Sequence, residues 1–167
     1  MSTAAAQVMT VEDDPIVRAD LRLVLEDAGF GVCADARDGI EAVELARLHR
    51  PDVIVLDLGL PRLDGVEATR RILHERDVPI IALTGRSTSL AMDAMEAGAV
   101  TFLRKPFVER ELVDTVTTAL AAQLRKARDA SRETLATLLE LVGYPAEWAD
   151  DLERRAYDAG HIWRRTR

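Results

Sequence analysis

Five short apolar runs, each followed by an amphipathic stretch, fill the first 124 residues of this 167-residue chain. That alternation is the pattern of a parallel sheet with helices on both faces. The candidate strands are Gln7 to Val11, Gly31 to Ala36, Val53 to Leu56, Pro79 to Leu83 and Thr101 to Leu103. Each is too short for a helix, and several are rich in Val or Ile. The intervening stretches carry helix start and stop signals. In the first, Val17, Leu21, Val24, Leu25 and Ala28 share one stripe, with Asp14 as N-cap, Pro15 at the first helical position and Gly29 beyond the end. The second opens with Asp38 and Glu41 in capping-box spacing and stops before Pro51. A third runs from about Val66 to Glu75. A fourth, Ser87 to Ala97, is weakly apolar, and a fifth follows Pro106 with Leu112, Val113, Val116 and Leu120 facing inward.

Several function classes are excluded by what is missing. VEDDP follows the first strand where a glycine-rich phosphate loop would have to stand. His49, His74 and His161 are scattered without zinc spacing, and no GxSxG nucleophile elbow occurs. The formal net charge of -7 opposes nonspecific binding to nucleic acid, and the lone Cys33 rules out an intrachain disulfide. The opening MSTAAAQV has neither the charged leader nor the apolar run of an export signal, so a cytoplasmic protein without a membrane span is expected.

In an open parallel sheet, chemistry collects beyond the carboxyl ends of the strands. Here strand one ends into Glu12, Asp13 and Asp14, strand three into Asp57, strand four into Thr84 and strand five into Lys105. Taken singly these read as a polar turn, a loop acid, a strand-end hydroxyl and a surface lysine, and Asp14 is accounted for as a helix cap. Taken together they form a site. Carboxylates about 4 Å apart repel by roughly 4 kcal/mol at an effective dielectric near 20. A hard divalent cation offsets this, and a few oxygen ligands with retained waters suit magnesium. Asp57 is then a carboxylate nucleophile toward a phosphoryl donor, with Lys105 and the Thr84 hydroxyl on the phosphoryl oxygens. Lys105 departs from a chain that uses arginine at 20 of its 22 basic positions. An ammonium is a compact point charge where a guanidinium is a planar fork.

Glu12-Asp13, the segment DVIVLDLGLPRLDG around Asp57, ALTG at Thr84 and FLRKPF at Lys105 closely resemble the receiver domain of bacterial two-component response regulators over about residues 5 to 124. The resemblance implies a five-stranded, doubly wound, flavodoxin-like α/β fold with strand order 2-1-3-4-5. It implies Asp57 as phosphoacceptor, with Glu12, Asp13, Asp57 and the Gly59 carbonyl holding Mg²⁺. Lys105 and Thr84 would contact the phosphoryl group, and Thr84 and Phe102 would form a switch pair that alters the face of the fourth helix, fifth strand and fifth helix. A sensor histidine kinase or phosphotransfer protein would be the donor. The protein would be a phosphoprotein of phosphorelay signal transduction and not an enzyme, since a hydrolase with an aspartyl nucleophile carries a second acid where Gly59 stands. Departures are small: Glu12 replaces the commoner aspartate, and Gly85 follows Thr84 where alanine is usual. Gly59 and Arg86 occupy positions that tune the lifetime of the phosphoryl group in the family.

Composition changes near residue 124. Residues 1–124 hold 21 acidic and 13 basic side chains, residues 125–167 hold 8 and 9, and the second segment has four of the seven aromatics. The reading is a receiver domain at 1–124 and a helical tail at 125–167. Leu135, Leu138, Leu139 and Val142 form a stripe ended by Gly143, and Pro145 opens a second helix reaching about Ala159. The polar stretch Gln123 to Ser131 reads as a hinge or exposed helical bridge. Tyr144, Trp148, Tyr157 and Trp163 are expected to supply packing area. The tail or the helix four, strand five and helix five face would support a homodimer or other protein contact. Two alternatives are a receiver-like scaffold that is never phosphorylated and an antiterminator-type regulator that binds RNA through the tail.

Overall fold

The computed structural model describes residues 5–85, 87–141, 143, 145–151 and 154. In chain order the elements are β1 (Gln7–Val11), α1 (Pro15–Asp27), β2 (Gly31–Ala36), α2 (Gly39–His49), β3 (Val53–Asp57), α3 (Gly65–Glu75), β4 (Ile80–Thr84), α4 (Thr88–Glu96), β5 (Thr101–Arg104) and α5 (Glu109–Leu141). The strands form one sheet of order β2-β1-β3-β4-β5, every neighbouring pair parallel. The alternation predicted the parallel sheet, and the order is the doubly wound, flavodoxin-like one that the resemblance implied. Strands β3 and β4 are buried on both faces, which is why they read as unbroken apolar runs.

Strand alternation divides the core in two. Met9, Val11, Ile54, Leu56, Ile80 and Ala82 point to the side covered by α2, α3 and α4. Val8, Val53, Val55, Ile81 and Leu83 point to the other, against Leu21 and Leu25 of α1 and Leu112 and Val116 of α5. The anticipated caps are made. The Asp14 carboxylate accepts from the amides of Ile16 and Val17, Asp38 from that of Glu41, and Gly29 takes a φ of 91° beyond the end of α1. Strand β3 runs one residue further than the apolar run, to Asp57, and β4 is Ile80–Thr84 instead of Pro79 to Leu83. Pairing decides these ends: Asp57 lies opposite Leu83, and Thr84 opposite Arg104 of β5. A strand extends as long as its neighbour offers ladder partners, which hydropathy alone does not reveal.

The chain divides into two compact units, Met1–Ala121 and Ala122–Arg167. Helix α5 contains the last residues of the first and continues to Leu141, so Gln123 to Ser131 is helical throughout and mostly exposed, the helical bridge of the two forms expected there. That stretch has no glycine or proline to break a helix, and its Ala, Leu, Lys, Arg and Gln are strong helix formers. Within the second unit Leu139 and Ala149 are buried, whereas Leu138 is 54% exposed and the expected apolar stripe is correspondingly narrower. Pro145 precedes a turn at 146–147, and helical structure resumes at Trp148. Trp148 is 49% exposed, so about half of its surface is covered. Val142, Tyr144, Tyr157 and Trp163 lie outside the described residues. No helix among the described residues is long and apolar enough to cross a membrane.

Candidate functional site

The carboxyl ends of β1, β3, β4 and β5 bring Glu12, Asp57, Thr84 and Lys105 to one edge of the sheet. Backbone bonds fix the edge: the Glu12 amide donates to the Ala36 carbonyl (3.0 Å), the Leu58 amide to that of Leu83 (3.0 Å) and the Lys105 amide to that of Thr84 (2.7 Å). Glu12, Asp57 and Thr84 are buried while Asp13 is exposed. The carboxylate oxygens of Glu12, Asp13 and Asp57 offer ligand atoms all within 4.8 Å of one another.

Lys105 is the cation of the site. Its Nζ lies 2.5 Å from Glu12 Oε2 and 3.1 Å from Asp57 Oδ1. Burial pushes the Glu12 carboxyl above the usual carboxylate range; the hydrogen bond from Lys105 pulls it back, and the charge of Asp57 raises it again. For Lys105, burial pulls the ammonium down, but the hydrogen bond to Glu12 and the charge of Asp57 outweigh it and leave the group above its ordinary value. One ammonium against three clustered carboxylates leaves an excess of two negative charges, all on hard oxygens. That donor set fits Mg²⁺, whose small charge-dense ion takes few protein carboxylates and keeps waters.

Thr84 donates its hydroxyl to the Ser87 carbonyl at 3.1 Å. Ser87 is also the N-cap of α4, its Oγ accepting from the Leu90 amide. The hydroxyl is thereby tied to the start of the next helix. Phe102 sits on β5 opposite Ala82 and is 36% exposed. Gly59 is exposed two residues beyond Asp57, and a Cβ built on it would stand 3.4 Å from Asp57 Oδ2. Arg86 lies outside the described residues. Arg18 escaped the sequence reading: its Nη1 donates to the carbonyls of Glu12 (2.6 Å) and Asp13 (3.3 Å) and so braces the acidic turn. Its place one helical turn past Asp14, on the first helix, was the available signal.

Lys105→Arg is expected to fold with little change in melting temperature yet take up phosphoryl groups poorly. The planar fork cannot reach Glu12 and Asp57 from the position of one nitrogen without displacing one of them. Melting and labelling measured on the same preparation check this, and labelling at the wild-type rate would show that an ammonium is not required.

The sequence model of the response regulator receiver domain matches residues 8–117. Transcriptional regulatory protein PdtaR of Mycobacterium tuberculosis (strain CDC 1551 / Oshkosh) is 39% identical over 116 residues, covering 69% of this chain and 57% of PdtaR. Protein-glutamate methylesterase/protein-glutamine glutaminase 2 of Xanthomonas euvesicatoria pv. vesicatoria (strain 85-10) is 40% identical over 152 residues, 83% of this chain and 43% of that protein. The chain thus spans about half the length of these curated relatives. Among solved structures, the response regulator domain of Thermotoga maritima CheB superposes with a TM-score of 0.67 at 28% identity, over 70% of this chain and 97% of that one. A match across the whole sheet and its strand-end residues, joined to the same fold, places this chain in the response regulator receiver domain family.

Proposed function

We propose that the protein is a phosphorylation-controlled switch in which Asp57 accepts a phosphoryl group from a sensor histidine kinase or phosphotransfer protein. The observation that carries this is the Lys105 ammonium held between Glu12 and Asp57 at the ends of the strands. An Asp57 carboxylate oxygen forms the bond to phosphorus while the bond from phosphorus to the donor breaks, the donor atom keeping that electron pair. Held by Glu12, Asp13, Asp57 and the Gly59 carbonyl, Mg²⁺ would neutralise the oxygens of the incoming group. Lys105 meets the charge that develops on them. Thr84 gives up its neutral hydrogen bond to the Ser87 carbonyl for a stronger one to a phosphoryl oxygen. The Gly59 position lacks the second acid of an aspartyl hydrolase, so the protein signals instead of turning over substrate. We place it in the cytoplasm with its phosphoryl donor.

The Thr84 exchange releases the cap region of α4, an element with only Ala91 and Ala94 buried. Met92 and Met95 of α4, and Val100 and Phe102 at β5, leave apolar side chains exposed on these two elements. That is the face we assign to output, through a second copy or another protein. Reversing a switch from 1:99 to 99:1 takes about 5.5 kcal/mol, and three charge-assisted hydrogen bonds at about 2 kcal/mol each, within their usual range of about 1.5–3, supply that.

The test is uptake of one phosphoryl group from acetyl phosphate, followed by intact mass, with Mg²⁺ or with EDTA. Uptake in Mg²⁺ alone is expected, and equal uptake in EDTA would overturn the metal assignment. Beryllofluoride, a phosphoryl mimic, is expected to change amide hydrogen exchange in residues 87–97 while leaving the amides of β1 and β3 unaltered. An unchanged α4 would remove this helix from the switch.

A further inference from the structure

At the opposite end of the sheet from Asp57, before the amino ends of β3 and β4, lies a cavity of about 70 Å³ between α2 and α3. Its floor is apolar, with Val43 and Ile72, and its charged lining is Arg47, Arg50, Arg76 and Glu75. Three arginines line it against Glu75, and with the charge of Asp52 also acting on Arg76 the cluster keeps an excess of one positive charge in a chain whose net charge is -7. Arg47 is already paired, donating through Nε and Nη2 to Glu75 at 2.8 and 2.6 Å. Arg76 is not: its Nη1 is sealed from solvent and has no hydrogen-bond partner among the described residues. Burial, and after it the charge of Arg50, depress the Arg76 guanidinium, with the charge of Asp52 only partly opposing them.

Arginines near the C-terminus of α2 would also arise simply to complement the helix dipole, and that accounts for Arg47. It does not account for Arg76, whose buried donor stands without an acceptor when nearly all buried polar groups have one. Nor does it account for Arg50, a non-glycine residue with φ 48° and ψ 57° at the C-cap of α2. Glycine is the usual occupant of such a left-handed cap, and strained backbone retained by a bulky residue is characteristic of binding sites. On the same measure of volume a water takes about 10–15 Å³, so the cavity accommodates roughly the five heavy atoms of a phosphate but no nucleoside. Guanidiniums converging from separate elements suit a tetrahedral oxyanion, which offers acceptors in several directions.

We propose that this cavity is an anion site for a phosphate group, free or as the head of a small phosphate ester, with Arg50 and Arg76 as its donors. It is separate from the phosphoacceptor chemistry and does not depend on it.

Calorimetric titration and melting of the full chain in EDTA, with inorganic phosphate against chloride at matched ionic strength, test the site. Phosphate is expected to bind and to raise the melting temperature where chloride does not. Arg76→Met keeps the side-chain bulk and removes the orphaned donor. It should weaken binding roughly ten- to hundredfold, the worth of a charge-assisted hydrogen bond. Its melting temperature without phosphate should stay close to the wild type, because the sealed Nη1 makes no hydrogen bond that the substitution could remove. Arg50→Gly, which the left-handed backbone favours, should weaken binding similarly and keeps the test open if the first variant misfolds. Glycerol phosphate separates the sources: binding as tight as inorganic phosphate identifies an ester headgroup, and binding by inorganic phosphate alone identifies the free ion. No phosphate response beyond chloride, or the same affinity in wild type and both variants, would overturn the proposal and leave a water-filled cavity.

Discussion

Asp57→Asn is expected to reduce phosphoryl uptake from acetyl phosphate in Mg²⁺ to background. The side chain keeps its size and its place at the end of β3, but an amide offers neither the charge for a metal nor a carboxylate oxygen to form the bond. The variant should fold. Asp57 is buried beside Glu12 and raises that carboxyl by its charge, so the neutral replacement removes a repulsion as well as the Lys105 contact at 3.1 Å. These changes oppose each other, and Lys105 retains Glu12 as a partner. Intact mass spectrometry beside a thermal melt separates lost chemistry from lost structure. Equal labelling of wild type and variant would sink the assignment of Asp57 as acceptor, whichever residue then carried the phosphoryl group.

Gly65→Ala should cost about 1–3 kcal/mol of stability, the range for forcing extra volume into a packed site. It should lower the melting temperature by roughly 3–10 °C. The reason is space, since a Cβ on Gly65 would stand 2.4 Å from the Asp57 carbonyl oxygen and 2.6 Å from Leu58 Cα. Both atoms are backbone and cannot swing aside. Relief requires α3, which starts at Gly65, to move away from the strand that presents Asp57, so phosphoryl uptake should slow in the same variant. Gly85→Ala is the control. A Cβ there meets nothing within 4 Å, and alanine should be neutral or stabilise by about 0.4–1 kcal/mol through the unfolded chain. Equal melting temperatures for the two variants would show that the α3 contact is looser than the structure implies.

What the sequence determined by itself follows from local rules. Apolar runs with Val and Ile fix strands, and Asp14, Asp38 and Gly29 mark helix ends because caps depend only on neighbouring backbone. Parallel topology then carries Glu12, Asp57, Thr84 and Lys105 to one edge, since each stands just after its strand. The continuous α5 was legible too, in the absence of any breaker from Gln123 to Ser131, but missing apolar periodicity left a hinge and an exposed helical bridge both open; an exposed helix needs no such stripe. Tertiary structure alone decided the rest. Lys105 meets Glu12 across 93 positions of sequence, a pairing set by sheet order. The direction of the Thr84 hydroxyl depends on a carbonyl in the following loop. The close approach at Gly65 depends on how α3 docks against β3, and the cluster of Arg47, Arg50 and Arg76 on two helix ends meeting below the sheet. Hydropathy and capping act over a few residues, whereas these contacts are made by side chains and backbone that meet only once the helices have packed.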